Sequence, residues 1–238
     1  MRRSVGIAGC GAAILSCGIA HALPAQGSFE GTVTYQMIFS NKAPMSLVYM
    51  FKGSKMRVDM GPQAVVVYDG TSGNFVTMMP QQKMYMEMNA KDVMAAAKGD
   101  STRSPADFKI AKTGTSETVA GTACDDYVVS DTKHPERETD MCVAHGMGSW
   151  MSGNGISGLF GGRGGSALPS GYDALMKKFG GDFFPLKVDS KKDGQDEMQM
   201  AATQIERKSL DAALFATPPD YKKLDMGGMG AMLQQPPH

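Results

Sequence analysis

Methionine is the residue type in this chain with the most distinctive chemistry. The 238 residues include 21 methionines, against ten phenylalanines and one tryptophan. The methionine side chain is flexible and polarisable, and surfaces that must accept varied apolar shapes use it often. Its thioether is also a soft ligand that favours Cu(I). The methionines therefore suggest three roles: an adaptable surface for an apolar ligand, a soft-metal site, or the filling of an ordinary core.

The spacing of several methionines predicts that they share one face of a sheet. Residues two apart on a strand point to the same side and lie about 6.8 Å apart. Met84, Met86 and Met88 have this spacing, as do Met198 and Met200. An earlier alternating stretch contributes one more methionine on its apolar side. We therefore predict an apolar ligand face that contains Met37, Met84, Met86, Met88, Met198 and Met200.

A second cluster gives the alternative of a metal site. His145, Met147 and Met151 lie close together in the sequence. They would supply one imidazole and two thioethers, and copper accepts both kinds of ligand. The apolar face and this cluster stay open as alternatives.

The sequence does not indicate the common kinds of catalysis. It holds no Gly-x-Ser-x-Gly elbow, no His-Glu-x-x-His pair and no P-loop. Lysine and arginine together number 24, as do aspartate and glutamate, and no basic patch or charge run appears. This balance argues against nucleic acid as a partner. We expect a protein that is not an enzyme and that needs no cofactor.

Two cysteines, Cys124 and Cys142, are placed to form a disulfide. Residues 122–130 and 138–144 have the pattern of strands, joined by a polar segment that contains a proline. A turn centred on Lys133 puts the two cysteines directly opposite each other, at the short cross-strand separation that a disulfide needs. Two free buried thiols are the alternative.

The elements that position these residues are mostly strands. Apolar and polar residues alternate from Phe29 to Phe39, which predicts a half-buried strand. Similar stretches recur along the chain, and turns rich in glycine, asparagine and aspartate separate them. About eleven strands result, in an antiparallel sheet that we expect to be curved because long sheets of this kind coil. Short helices predicted at 90–98, 146–151 and 172–179 would cover one face.

The first residues predict export. Arg2-Arg3 precedes an apolar stretch and then small residues, which is typical of a signal peptide. We predict that this peptide comprises residues 1–25, with cleavage after Ala22 or Ala25. Lipidation at Cys17, which would anchor the protein to a membrane, is the alternative. The expected location is therefore the periplasm or the cell exterior.

The remainder of the chain is predicted to be one domain. Residues 26–225 contain all the predicted strands, and no composition shift marks a linker between domains. Residues 226–238 are mostly methionine, glycine, glutamine and proline, which predicts a disordered tail. No stretch after the signal peptide is long and apolar enough to span a membrane as a helix.

Four motifs along the chain carry a family resemblance. They are Phe29–Tyr35, Lys83–Met86, Val119–Cys124, and the ending made of Leu210, Leu214-Phe215, Pro218 and Tyr221–Lys223. In this order they resemble the bacterial family called domain of unknown function 4412, whose members are exported. The resemblance implies the architecture of LolA- and LolB-like lipoprotein carriers. That fold is mainly β (α+β), an incomplete antiparallel β-barrel of about eleven strands with short helices on its concave side.

Carriers of this architecture hold acyl chains in the concavity, and the predicted methionine face would line it. We therefore expect an exported envelope protein that binds an apolar ligand such as a lipid or a lipoprotein acyl chain. The alternative is a periplasmic copper-binding protein that uses methionine and histidine ligands.

Overall fold

The described part of the chain is built almost entirely from strands. A computed structural model describes residues 29–40, 42–89, 107–148, 179 and 183–224. The strands there are β1 (Gly31–Phe39), β2 (Met45–Lys52), β3 (Lys55–Asp59), β4 (Val65–Asp69), β5 (Asn74–Met79), β6 (Met84–Asn89), β7 (Phe108–Val119), β8 (Thr122–Asp131), β9 (Arg137–Ala144), β10 (Phe184–Lys192), β11 (Gln195–Arg207) and β12 (Lys222–Lys223). A 3-10 helix spans Ala212–Phe215.

All twelve strands belong to one open sheet, in the order β12-β6-β5-β4-β3-β2-β1-β11-β10-β9-β8-β7. Neighbouring strands are antiparallel except for β12, which runs parallel to β6. The sheet is not closed into a barrel. It has twelve strands where eleven were predicted, because the two-residue β12 is too short to show a pattern in the sequence. β1 lies in the middle of the sheet, where it pairs with both β2 and β11.

The predicted helices on a concave side are not supported. Residues 146–148, at the start of one predicted helix, form a bend, and Gly146 and Gly148 have the positive φ angles of 73° and 82°. The predicted helix at 90–98 lies outside the described residues, as do residues 149–151 and 172–178. The residues of the predicted signal peptide and of the predicted C-terminal tail also lie outside them. Within the described residues, no helix is long and apolar enough to cross a membrane.

Strict alternation separates the two faces of the sheet. In β1 the residues Val33, Tyr35 and Met37 are buried, whereas the residues between them are half-buried or exposed. The register carries the apolar side across the sheet, because directly paired residues point to the same face. One such row begins at Met37 and continues through Met200, Val188, Met141 and Tyr127. We call this side of the sheet the core face.

Aromatic side chains fill the core face near the start of β1. The rings of Phe29, Phe51 and Phe184 lie 5.3–5.8 Å apart, centroid to centroid. Beside them, Tyr35 packs edge-on against Tyr49 at 5.3 Å. The Tyr35 hydroxyl donates to the backbone carbonyl of Pro185 at 2.9 Å, so its polar atom is satisfied inside the core. These contacts tie the two halves of the sheet together at β1.

The other face of the sheet carries a second, smaller apolar cluster. Val65, Val67 and Met78 of β4 and β5 are covered there by Leu210 and Phe215. All five side chains are buried, so the C-terminal segment, residues 208–224, forms a strap across the back of β3–β6. After the 3-10 helix this strap continues into β12 and joins the edge of β6.

Polar contacts hold the first half of the strap. The Arg57 guanidinium donates to the Leu214 carbonyl at 2.7 Å and pairs with Asp59 at 2.6 Å. Glu30 accepts from the Leu210 backbone N–H at 2.9 Å and from Lys52 at 2.7 Å. The segment is therefore an integral part of the fold.

Candidate ligand-binding face

The hairpin of β5 and β6 brings several methionines together at one end of the core face. Met79 pairs directly with Met84, and the next pair on this face is Thr77 with Met86. Met88 follows, opposite Phe75. The hairpin turn at 80–83 sets this register, because Gln82 and Lys83 close it with hydrogen bonds to the Met79 and Pro80 carbonyls.

A further methionine joins this group from β3. Met60 directly follows β3, and its backbone N–H donates to the Ala64 carbonyl at 3.0 Å. It continues the alternation of Met56 and Val58 and packs against the main core cluster. We define the methionine corner as the five half-buried residues Met60, Met79, Met84, Met86 and Met88.

Burial falls along the core face from its centre towards this corner. One row runs from Val33 through Tyr49, Val58 and Val66, all of which are at most 3 % exposed. The same row ends on Thr77 and Met86, which are half-buried. One apolar surface that a ligand can reach therefore lies at the β5–β6 end of the face, and half-buried Ile110 and Tyr127 lie at the opposite end.

The structure divides the six predicted ligand-face methionines into two groups. Met37, Met198 and Met200 are 3–7 % exposed, and Met37 pairs directly with Met200. These three fill the core beside Phe39, which is the partner of Met198. The other three predicted residues lie in the methionine corner, where they are half-buried.

A buried polar atom lies beside the corner, on Thr77, which pairs with Met86. The Thr77 hydroxyl oxygen is buried and has no hydrogen-bond partner, and it is the only such side-chain atom in the described chain. An unpaired buried hydroxyl costs about 1–3 kcal/mol. Thr77 lies between Val66 and Met86 in the row that leads to the sheet edge.

The alternative metal cluster is only partly described. The Met147 side chain is 3 % exposed and belongs to the main core cluster. The His145 side chain is 47 % exposed, and its Nε2 lies 3.4 Å from Asp125 and 3.5 Å from the Tyr127 hydroxyl. The third predicted ligand, Met151, lies outside the described residues. Both of these contacts of the imidazole are with oxygen atoms, which do not favour a soft metal ion.

The surroundings of Asp125 form a polar network. Lys112 donates to Asp125 at 2.6 Å, and the Ser116 hydroxyl donates to the same carboxylate at 3.0 Å. These two hydrogen bonds lower the pKa of Asp125 below its ordinary value, and the bond from Lys112 has the larger effect.

The predicted disulfide between Cys124 and Cys142 is present, with a Cα–Cα distance of 5.3 Å. Its predicted register is wrong, because Cys142 is directly opposite Asp126, which places Cys124 diagonally across the hairpin. The turn is centred on His134 and not on Lys133, and a shift of one residue in the centre moves every cross-strand partner by two. Asp131 sets this turn by accepting from the backbone N–H groups of Lys133 and His134.

Glu117, Asp126 and Cys142 come together within 4.8 Å of one another, in an arrangement that resembles a metal site. The Cys142 sulfur is bonded to Cys124 and is not a thiolate ligand. The Lys187 ammonium lies 3.2 Å from Glu117, and this hydrogen bond raises the pKa of Lys187. A cation already neutralises this site, so we interpret the cluster as a structural ion pair.

Sequence reasoning missed Met60, Met79 and Thr77. A signal for Met79 was present in the turn, because a four-residue connection at 80–83 places Met79 directly opposite Met84. Met60 and Thr77 join the corner through pairings between β3, β4 and β5. Their positions depend on which strands are neighbours.

Comparison with known proteins confirms the family resemblance. The family model described as "Domain of unknown function (DUF4412)" matches residues 29–221. No curated protein matches the chain.

Several solved structures are similar over most of the chain. The MucA/MucB complex of Pseudomonas aeruginosa has a TM-score of 0.48 at 10 % identity, and the match covers 83 % of this chain and 58 % of that one. PNGF-II has a TM-score of 0.44 at 13 % identity, with 85 % of this chain and 32 % of that one covered. A LolA superfamily protein from Nitrosomonas europaea has a TM-score of 0.22 at 10 % identity, with 82 % and 91 % covered. The chain thus spans about a third of PNGF-II and less than two thirds of its MucB match, and none of these likenesses is close enough to indicate an activity.

Proposed function

The chain belongs to the family described as Domain of unknown function (DUF4412), and from that premise we propose that it is an exported protein without enzymatic activity that binds an apolar ligand. The binding surface is the methionine corner, and the ligand is a lipid or a lipoprotein acyl chain. The proposal rests on one observation. The apolar core face continues to the β5–β6 end of the sheet, where its side chains are only half-buried.

The chemistry of the corner fits an acyl chain. Five methionines offer apolar area without branched, rigid side chains, and they adapt to a flexible partner. No charged residue interrupts the paired positions of this face on β5 and β6, where the other residues are Phe75 and Thr77. Complete burial of a fully exposed methionine contributes about 1.5–3 kcal/mol, so each of these half-buried side chains would contribute about half of that against a ligand.

Export is supported by the sequence and by the disulfide. A basic and then apolar start is typical of a signal peptide. The Cys124–Cys142 bond persists in oxidising compartments such as the periplasm or the cell exterior. Lipidation at Cys17 would keep the same domain at the membrane surface.

The first experiment measures mass. The full-length gene is expressed in a bacterial host, and native and denatured masses of the envelope form are recorded. We expect a native mass that exceeds the denatured mass by that of a bound lipid, and a denatured mass that distinguishes cleavage after Ala25 from diacylation at Cys17. Delipidated protein is then titrated with a fluorescent fatty acid.

Variants localise the binding. Met84→Gln and Met86→Gln keep the length of the side chain and make it polar, and together they should weaken fatty-acid binding by about tenfold or more. The control is Glu87→Gln on the same strand, because Glu87 is exposed and points to the opposite face. Equal affinity of the double variant and the control protein would contradict the proposed site. Absence of both lipid and probe binding would contradict the function.

A further inference from the structure

The methionine corner places three thioethers on two adjacent strands. Met79 and Met84 are directly opposite each other. Met86 follows Met84 on the same strand and face, and it lies diagonally across from Met79. All three residues are half-buried, so none is enclosed in the core and none is fully exposed.

The register brings these sulfurs within reach of one ion. Directly opposite residues have Cβ atoms about 4.5–5.5 Å apart, and diagonal neighbours about 7–8 Å. Met84 and Met86 are separated by about 6.8 Å along the strand. Each sulfur lies two bonds beyond Cβ on a flexible side chain, so three thioethers at these positions can converge on a point above the sheet.

We propose that the methionine corner binds a Cu(I) ion through the thioethers of Met79, Met84 and Met86. Thioethers are soft, uncharged ligands, and soft ligands select Cu(I) over Zn²⁺, Mg²⁺ or Ca²⁺. Besides Met79, the core-face residues of β5 are Phe75 and Thr77, so no carboxylate of this strand competes for the ion. The ion would replace water at the half-buried end of the face, and the proposal does not depend on acyl-chain binding.

This site differs from one built around His145 in its dependence on pH. Thioethers carry no proton in the physiological range, whereas an imidazole must be deprotonated before it binds a metal. Binding at the corner is therefore expected to be the same at pH 5 and pH 8. A site with an imidazole ligand would instead bind the ion more weakly in acid.

The test uses Ag(I) as the probe, followed by Cu(I) held reduced with ascorbate. Ag(I) has the same softness and needs no reductant, so the Cys124–Cys142 disulfide stays intact. The mature full-length protein is labelled with ¹³C at the methionine methyl groups, and the methyl signals are assigned with Met→Leu variants. We expect the first equivalent of Ag(I) to shift the methyl signals of Met79, Met84 and Met86.

Affinity is then compared between matched variants. Met79→Leu and Met84→Leu keep the apolar surface but remove a thioether ligand. Each should lower the affinity for the first equivalent of Ag(I) by about tenfold or more. Met45→Leu is the control, because Met45 is an exposed methionine on β2, away from the corner. His145→Ala should leave the affinity unchanged.

The outcomes separate this proposal from acyl-chain binding. Fatty-acid affinity should be retained in the leucine variants, since leucine is as apolar as methionine. Unchanged Ag(I) affinity in a Met79→Leu/Met84→Leu/Met86→Leu protein would overturn the copper site. So would shifts confined to other methionines, or a loss of binding in His145→Ala. Failure of fatty-acid binding with the Ag(I) response intact would contradict only the proposed function.

Discussion

Removal of the Cys124–Cys142 disulfide should destabilise the protein by an amount set mainly by the length of the loop that it closes. The two cysteines are 18 residues apart. A cross-link over that distance lowers the entropy of the unfolded chain by an amount equivalent to about 3 kcal/mol at 25 °C. For a chain of this size, that loss corresponds to a fall in Tm of about 6–12 °C.

Two perturbations make the measurement internally controlled. Reduction of the wild-type protein breaks the bond but leaves both sulfurs in place, whereas Cys124→Ala/Cys142→Ala removes them. Both sulfurs are buried, at 4 % and 1 % residue exposure, so the double variant should lose about 1 kcal/mol more for the small void. Reductant should have no effect on the double variant.

The assay is equilibrium unfolding in urea, followed by far-UV circular dichroism, with and without a phosphine reductant. Thiol titration of the denatured protein first confirms that no free thiol is present before reduction. A loss of less than about 1 kcal/mol on reduction would refute the loop-closure reasoning. It would mean that β8 and β9 already stay paired in the unfolded chain.

Three further substitutions test other parts of the structure, each measured by urea unfolding. Gly31→Ala should lower the free energy of unfolding by about 2–4 kcal/mol, because the φ angle of Gly31 is +149° and a Cβ there would lie 2.0 Å from a backbone carbonyl oxygen of β11. Gly53→Ala is the control, and because Gly53 has open space around it, this change should cost about 1 kcal/mol or less. Glu30→Gln should lower stability at pH 7. The hydrogen bond from Lys52, followed by that from the strap backbone, lowers the pKa of Glu30 from its ordinary 4.5. The contribution of Glu30 to stability is therefore present above pH 4.5 and disappears as the pH falls through the lowered pKa. The difference in stability between the wild type and Glu30→Gln should accordingly vanish in acid. A difference that does not change with pH would contradict this. Phe215→Ala should cost about 3 kcal/mol and make the strap the first site of limited proteolysis, whereas unchanged cleavage kinetics would show that the strap is held elsewhere.

The local parts of the fold were predictable from the sequence. The alternation from Gly31 to Phe39 gives the strand and its buried side, and the hairpin at Asp193-Gly194 gives the turn between β10 and β11. These features depend on residues that are near each other in the chain. The alternation within a strand is local in the same way, because its period of two fixes which side chains share a face.

The order of the strands was not predictable in this way. The sequence shows a run of hairpins, but nothing local indicates that β1 pairs with β11. Met37 and Met86 have the same alternating context, yet Met37 lies at the centre of the sheet and is 3 % exposed, whereas Met86 lies near its end and is half-buried. The difference between core filler and candidate ligand residue therefore comes from the strand order.

The disulfide illustrates a narrower limit. The sequence indicates correctly that Cys124 and Cys142 lie on one hairpin and close enough to bond. The register depends on the hydrogen bonds that Asp131 makes in the turn, and these move the centre by one residue. Sequence spacing alone does not resolve a shift of that size.

The central place of β1 also determines when the protein can finish folding. Among the described strands, β1 is the first to leave the ribosome. One of its two neighbours, β11, emerges only after more than 150 further residues, since Phe39 pairs with Met198. Until then one edge of β1 is an open template, and such edges pair readily with other chains. The β1–β6 half can assemble early from local hairpins, whereas the core around Phe29 and Phe184 must wait for the late strands. Synthesis or translocation that stalls before β11 would therefore leave an aggregation-prone half-sheet, and a holding chaperone would be needed at that stage.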